Sequence, residues 1–366
     1  PDEYISETEA ITILLRLLGY GQVAEQGAGY PIGYLTCART IGILGYKDTV
    51  GGTLSSQTAA SLIKRALEAE MLEGKSYTND SVKYSENGRT ALFAKYKIIK
   101  ETGIVNAYGK SALLPEYETA DGHANIGGMS LESSINLFPY LGYRVEYYYS
   151  DDDEIILAVN PYKNYVTEID AQQEPSLSGR RLSYFENGKK TYTDLPADIS
   201  VVYNGKCKGD YTADDFDIDK GNIVLIENGG GDIAAVIIND YSSRIVKRVN
   251  SAELEIIGKA DRDEKIDISK NTGFYVKAED GSAVSAKDIH ENDVLTVCIS
   301  DDGKVVYGWL SRKTVQGEIA AKYDDNDDTY VEISGSEYKI DKELVKKKSL
   351  DIKSNGKFFI DHYGII

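Results

Sequence analysis

Three aspartates at alternate positions, Asp215, Asp217 and Asp219, precede Gly221 and offer the spacing best suited to a hard cation. Carboxylate oxygens are the ligands calcium prefers, but an EF-hand loop also needs Gly at its sixth position and Glu at its twelfth. Lys220 and Ile226 stand there instead, so that register fails and a solvated turn is the plain alternative. The acidic runs Asp151-Asp152-Asp153 and Asp324-Asp325-Asn326-Asp327-Asp328 read the same way: turn tips that can also collect calcium. The three histidines, His123, His290 and His362, are isolated, and none sits in an H-E-x-x-H spacing. No G-x-S-x-G turn presents a nucleophile. Gly229-Gly230-Gly231 lacks the Lys-Ser/Thr of a phosphate loop and reads as a hairpin turn. These residues predict neither an active site nor an organic cofactor, and calcium is the one ion they suit.

Composition narrows the partners. The formal net charge of this 366-residue chain is -18, which repels phosphate backbones and anionic lipid. Nucleic acid is therefore not an expected partner. No run of about 18 apolar residues is present, so no membrane insertion is expected. Cys37, Cys207 and Cys298 are too few and too scattered for a disulfide framework and read as small buried residues. The chain starts at Pro1 without a methionine and reads as an excised piece of something longer.

The elements that must position these residues divide the chain unevenly. Residues 1-75 read as helical. Ser6 and Glu9 form a capping box before the stripe Ala10, Ile11, Leu14, Leu17 and Leu18. Gly19 and Gly21 are expected to stop that helix. A shorter pattern follows Pro31 (Tyr34, Leu35, Ala38, Ile41), and a third starts near Ser55 (Ala59, Leu62, Ile63, Ala66, Leu67). Ser6, Ala10, Arg16 and Leu18 recur at a constant offset as Ser55, Ala59, Arg65 and Leu67, the mark of a repeat. Residues 76-102 read as a polar linker (73 to 88) and a connecting helix over Arg89 to Glu101. Beyond them the period shifts towards 2, in short strands punctuated by Asn187-Gly188, Asn204-Gly205, Asp280-Gly281, Asp302-Gly303 and Asn355-Gly356. Tandem small β-barrel or β-sandwich domains are expected: a β-rich domain over 103-250 with room for two subdomains, a small one over 251-314, and a truncated one over 315-366. The segments from Gly103 and from Gly317 look like one domain opening used twice. The fold class is multidomain α+β.

The helical part resembles the S-layer homology (SLH) repeats of bacterial cell-surface proteins. The segments that carry this are Ile5 to Tyr20 (ISETEAITILLRLLGY), Gly29 to Leu44 (GYPIGYLTCARTIGIL) and Leu54 to Leu67 (LSSQTAASLIKRAL). The β region is similar to the tandem domains that follow such repeats in surface proteins of Gram-positive anaerobes, through Leu141 to Val159, Asp198 to Phe216 and Lys287 to Lys304. The resemblance implies an extracellular place at the cell wall and a T-R-A-E-type motif whose Arg grips acidic secondary cell-wall polysaccharide. The matching positions make Ser6, Glu7, Glu9, Ser55 and Ser56 the candidate glycan-binding residues. Glu7 and Ser56 stand where the family has Arg, and Thr58 replaces the second Glu. A guanidinium forks onto a carboxylate, whereas Glu7 repels one. The expectation is a non-catalytic structural component of an S-layer-like surface assembly, associating with itself or with other surface proteins. The alternatives are a wall-polysaccharide anchor, or the non-catalytic part of a surface enzyme that acts on glycan.

Overall fold

The computed structural model describes residues 4–77, 82–250, 253–257, 263–268, 273–325, 328–347 and 350–366. The chain forms two compact units: Pro1–Glu101 with Tyr147–Ala158, and Thr102–Glu146 with Val159–Ile366. It is mostly strand, arranged in several sheets.

In the first unit, helices α1 (Glu7–Leu17), α2 (Gly21–Gly27), α3 (Ile32–Thr40) and α4 (Ser56–Glu68) enclose one apolar core. Ile11, Leu15 and Leu18 bury themselves at helical spacing against Tyr34, Ala38, Leu62 and Ala66. Leu17 and Ile63, expected on the inner faces, are instead 70% and 50% exposed. Helix α2 begins at Gly21, where the sequence predicts a stop. It exists because Tyr20 and Ala24 face the core and Gly33 lets α3 come close. A Cβ on Gly33 would lie 2.1 Å from the Ala24 carbonyl oxygen.

The region 76-102 also differs from its expected form. Glu70–Tyr77 and Val82–Thr90 pair as an antiparallel hairpin. Asn79 and Asp80 of the expected linker lie outside the described residues. Helix α5 covers only Ala91–Tyr96, capped by Thr90 and closed by Lys97 in the left-handed conformation (φ 54°). The β-branched pair Ile98-Ile99 then begins a strand, Ile98–Tyr108.

The second unit holds successive strand groups. The strand Ile98–Tyr108 continues into it and pairs with Ser111–Ala112 and His123–Ile126. A five-stranded sheet follows, ordered Lys206–Cys207, Ser200–Tyr203, Ile233–Asp240, Gly221–Glu227, Tyr165–Asp170. It is buried on both faces. Val201, Ile223, Leu225, Val236 and Ile238 pack on one side, with Leu177, Leu182 and Tyr184 of a small three-stranded sheet. Val202, Ile226, Ala235 and Ile237 pack on the other. Adjacent residues serve opposite faces, as the pleat requires.

A seven-stranded sheet runs from Ser242–Val249 to Val305–Ser311. Ser242 to Ile245, which precede the boundary expected at 250, pair with Val297 to Val294. The last sheet comprises Lys313–Asp325, Asp328–Ile333, Ser336–Lys339 and Asn355–Ile360.

One topology occurs twice. Ser200–Tyr203 turns into Lys206–Cys207, a 3-10 turn (Ala213–Phe216) follows, then the hairpin Gly221–Glu227 and Ile233–Asp240, whose last strand runs parallel to the first. Gly273–Ala278, Ala283–Val284, the turn Ala286–Asp288, Val294–Ile299 and Val305–Ser311 repeat that order and that parallel closure. Ser200, Ala213 and Gly221 match Gly273, Ala286 and Val294 at one constant offset. Both 3-10 turns carry a capping box, Thr212 with Asp215 and Ser285 with Asp288. The segments from Gly103 and Gly317 also share a form. Each is a strand whose register shifts at equivalent places, Val105 to Ala107 and Ile319 to Ala321.

Candidate functional site

The two capped helix starts lie side by side. Ser6 bridges Thr53, and the Leu54 amide donates to the Ile5 carbonyl at 2.9 Å. This brings together Ser6, Glu7 and the segment leading into Ser55 and Ser56. The Glu9 carboxylate accepts from the Ser6 amide (2.8 Å) and hydroxyl (2.7 Å), which holds its pKa below the usual range. Glu7 accepts from the Gly51 amide at 2.9 Å. The Ser55 hydroxyl oxygen accepts from the Thr58 amide at 3.0 Å. Ser56 is exposed as the first residue of α4. Glu9 is thus committed to donors of its own helix start, and Glu7 to the Gly51 amide of the segment that leads towards α4.

The repeated arginines are structural. Arg65 reaches Asp48 (2.6 Å) and the Ile43 carbonyl (3.2 Å), while Arg16 donates to the Tyr34 hydroxyl (3.1 Å).

The candidate calcium ligands do not converge. Asp215 lies on the 3-10 turn, which rotates it back to accept from the Thr212 amide (2.8 Å) and from Lys208 (3.0 Å). Asp217 is exposed, and Asp219 pairs with Lys342 at 2.7 Å. Among the described residues no group of three or more His, Cys, Asp or Glu side chains is gathered for a metal. Of the other acidic tips, Asp324 accepts from Thr329 (2.7 Å) and Asp328 pairs with Lys339 (2.6 Å). Asn326 and Asp327 lie outside the described residues. Gly229 to Gly231 form the hairpin turn, closed by the Asn228 amide donating to Asp232 O at 2.8 Å. His362 stacks flat on Trp309, ring centroids 4.2 Å apart.

The most unusual chemistry lies one residue past Asp219. Phe216, Ile218 and Lys220 are the inward positions of this stretch, and all three are buried. Only 5% of the Lys220 side chain is exposed, and its Nζ lies 2.6 Å from Asp341 Oδ2, 2.7 Å from Asp361 Oδ2 and 2.9 Å from Ser243 Oγ. The Asp361 side chain is 2% exposed. Its Oδ2 also accepts from the Ser243 hydroxyl (2.5 Å) and its Oδ1 from the Ile365 amide (2.9 Å). Burial disfavours the Lys220 charge, but Asp361 and Asp341 outweigh it and hold the ammonium pKa above its ordinary value. Gly221 (φ +109°) makes the turn beside it: a Cβ there would lie 1.9 Å from the Asn239 carbonyl oxygen.

The cluster ties three strand groups together, since Lys220, Ser243 and Asp361 belong to three successive sheets or their ends. No local motif singles out Lys220; the one signal in the sequence is its place on the inward beat of Phe216-Asp217-Ile218-Asp219-Lys220. The matching position in the second copy of the topology is Asp293. It too is buried, and it is held by Arg312 at 3.0 Å.

A cavity of about 140 Å³ lies over the five-stranded sheet, lined by Phe138, Leu141, Tyr143, Asn222, Asn239 and Tyr307. Its polar wall is a chain in which Asn239 donates to Asn222 (2.8 Å) and Asn222 donates to Glu168.

No protein-family model and no curated protein matches this chain.

Proposed function

We propose that this protein is a non-catalytic structural component of an S-layer-like assembly on a bacterial cell surface. The observation that carries the reading is the series of strand groups, each with its own apolar core, one topology used twice, tied end to end by the buried Lys220 cluster. Such a construction suits a load-bearing spacer, in which modules must not move against one another. The resemblance of the helical segment to SLH repeats supports the extracellular placement, with other surface proteins or further copies of this chain as partners. Among the described residues no helix is long and apolar enough to cross a membrane.

Secondary cell-wall polysaccharide is a weaker partner on this reading, because Glu7 and Glu9 are acidic and already bonded, to Gly51 and to Ser6. The test is self-association. Sedimentation velocity of the purified chain over a concentration series, with and without calcium, should show reversible growth beyond the monomer. A chain that stays monomeric at high concentration in both conditions sinks the proposal. Co-sedimentation with purified cell walls would favour the anchor instead.

A further inference from the structure

We propose that Lys220 and Asp361 join in an intramolecular isopeptide bond, formed by condensation within the buried cluster and independent of the function proposed above. Lys220 Nζ lies 2.7 Å from Asp361 Oδ2, so the nitrogen already neighbours the carboxyl group it would attack, and positioning of that kind removes much of the entropic cost of reaction. Both side chains are almost wholly withdrawn from water, at 5% and 2% exposure, and exclusion of water is what a condensation needs.

The remaining groups fit the proton movements. Lys220 and Asp361 begin as ammonium and carboxylate. One proton passes from Nζ to Asp361 Oδ2, giving amine and acid. Asp341 Oδ2, at 2.6 Å from the same Nζ, takes a second proton as nitrogen attacks the Asp361 carbonyl carbon. Negative charge then develops on Asp361 Oδ1, where the Ile365 amide already donates at 2.9 Å. Asp341 returns its proton to Oδ2, which leaves as water. One C–N bond forms, one C–O bond breaks, and Asp341 ends as the carboxylate it began as. Ser243, donating to Oδ2 at 2.5 Å, steadies the departing oxygen. Asp341 is the most open of the three charged groups, at 28% exposure, and gives the water a way out.

The product is also better suited to its site. A buried ion pair carries a desolvation penalty that its mutual attraction only partly offsets, and the amide removes both charges. The Tyr363 hydroxyl, which accepts from the Gly221 amide at 3.0 Å, fixes the two segments in register beside the reacting pair.

The experiment is intact-mass spectrometry of the full chain after denaturation, followed by peptide mapping. The wild type should be lighter than its sequence mass by one water, with a branched peptide joining Lys220 to Asp361. Asp361→Asn should be lighter by one ammonia instead, because the amide nitrogen is then the leaving group. Asp341→Asn should keep its full sequence mass. A wild-type mass equal to the sequence mass, or a water loss that maps to any other pair, overturns the proposal and leaves an ion pair only. Should the Asp341→Asn chain fail to fold, the wild-type mass and its branched peptide still decide the matter.

Discussion

Lys220 shows what a single buried charge demands of its neighbours. Removing it strands Asp361 in the interior with its carboxylate uncompensated, a change that typically costs about 3–5 kcal/mol. Lys220→Met should therefore lower the denaturation midpoint sharply, followed through Trp309, the only tryptophan in the chain. A shift within error would mean that the cluster contributes nothing to stability. Cys298 offers a second test at this scale. It is 1% exposed, and burial pushes its thiol pKa up to about 12. Since the thiolate is the reactive form, iodoacetamide at pH 8 should leave Cys298 unlabelled in the native protein and label it after unfolding. Native labelling at Cys298 would refute its burial. These residues were only partly legible beforehand. The sequence marked Cys298 as an apolar residue, and it is buried. Lys220 escaped because its partner Asp341 lies 121 residues along the chain, and no local pattern announces a contact of that range.

Among the elements, those built from neighbouring residues were the readable ones. The caps of α1 and α4 need only three-residue spacings, and Asn187-Gly188 and Asn204-Gly205 need only the left-handed conformations they adopt in tight hairpins. Ser6→Ala and Ser55→Ala should each cost about 1 kcal/mol in chemical denaturation, the usual worth of an N-cap. The hairpin Glu70–Tyr77 with Val82–Thr90 was not readable, because residues such as Gly74, Ser76, Asn87 and Gly88 have the composition of a linker. Helix α4 also carries an acid-sensitive contact. Glu68 is partly buried, which opposes its charge, but Lys100 (2.7 Å), Lys64 (2.5 Å) and Tyr148 (2.6 Å) outweigh this and lower its pKa. Its folded pKa lies below the unfolded one, so its contribution is complete above the unfolded value and fades as pH falls through the folded one. Glu68→Gln should accordingly be less stable than the wild type at neutral pH and converge with it in acid. Parallel pH–stability curves would show that Glu68 contributes nothing to acid sensitivity.

At the scale of the whole molecule, Glu7, Glu9, Ser55, Asp215 and Asp219 each hold a partner within the chain while Ser56 and Asp217 are exposed, and the features that organise the second unit are its repeated topology and the buried cluster. The duplication was hidden by divergence. Thr212-Ala213-Asp214-Asp215-Phe216 and Ser285-Ala286-Lys287-Asp288-Ile289 keep little more than a cap, an alanine, an aspartate and a buried apolar residue. If the scaffold reading holds, association should survive Glu7→Gln and Glu9→Gln, which alter the helix starts and leave the strand groups intact. Loss of association in sedimentation velocity would move the contact to the helical unit.

The matched positions Lys220 and Asp293 are a base and an acid, each satisfied by a partner of the opposite kind. The two copies are therefore not interchangeable beads. Exchanging them along the chain would set Lys220 against Arg312, and Asp293 against Asp341 and Asp361. The order of modules is written into the interior as a sequence of signs, so a rearranged chain could keep every module's own core and still fail to close its joints.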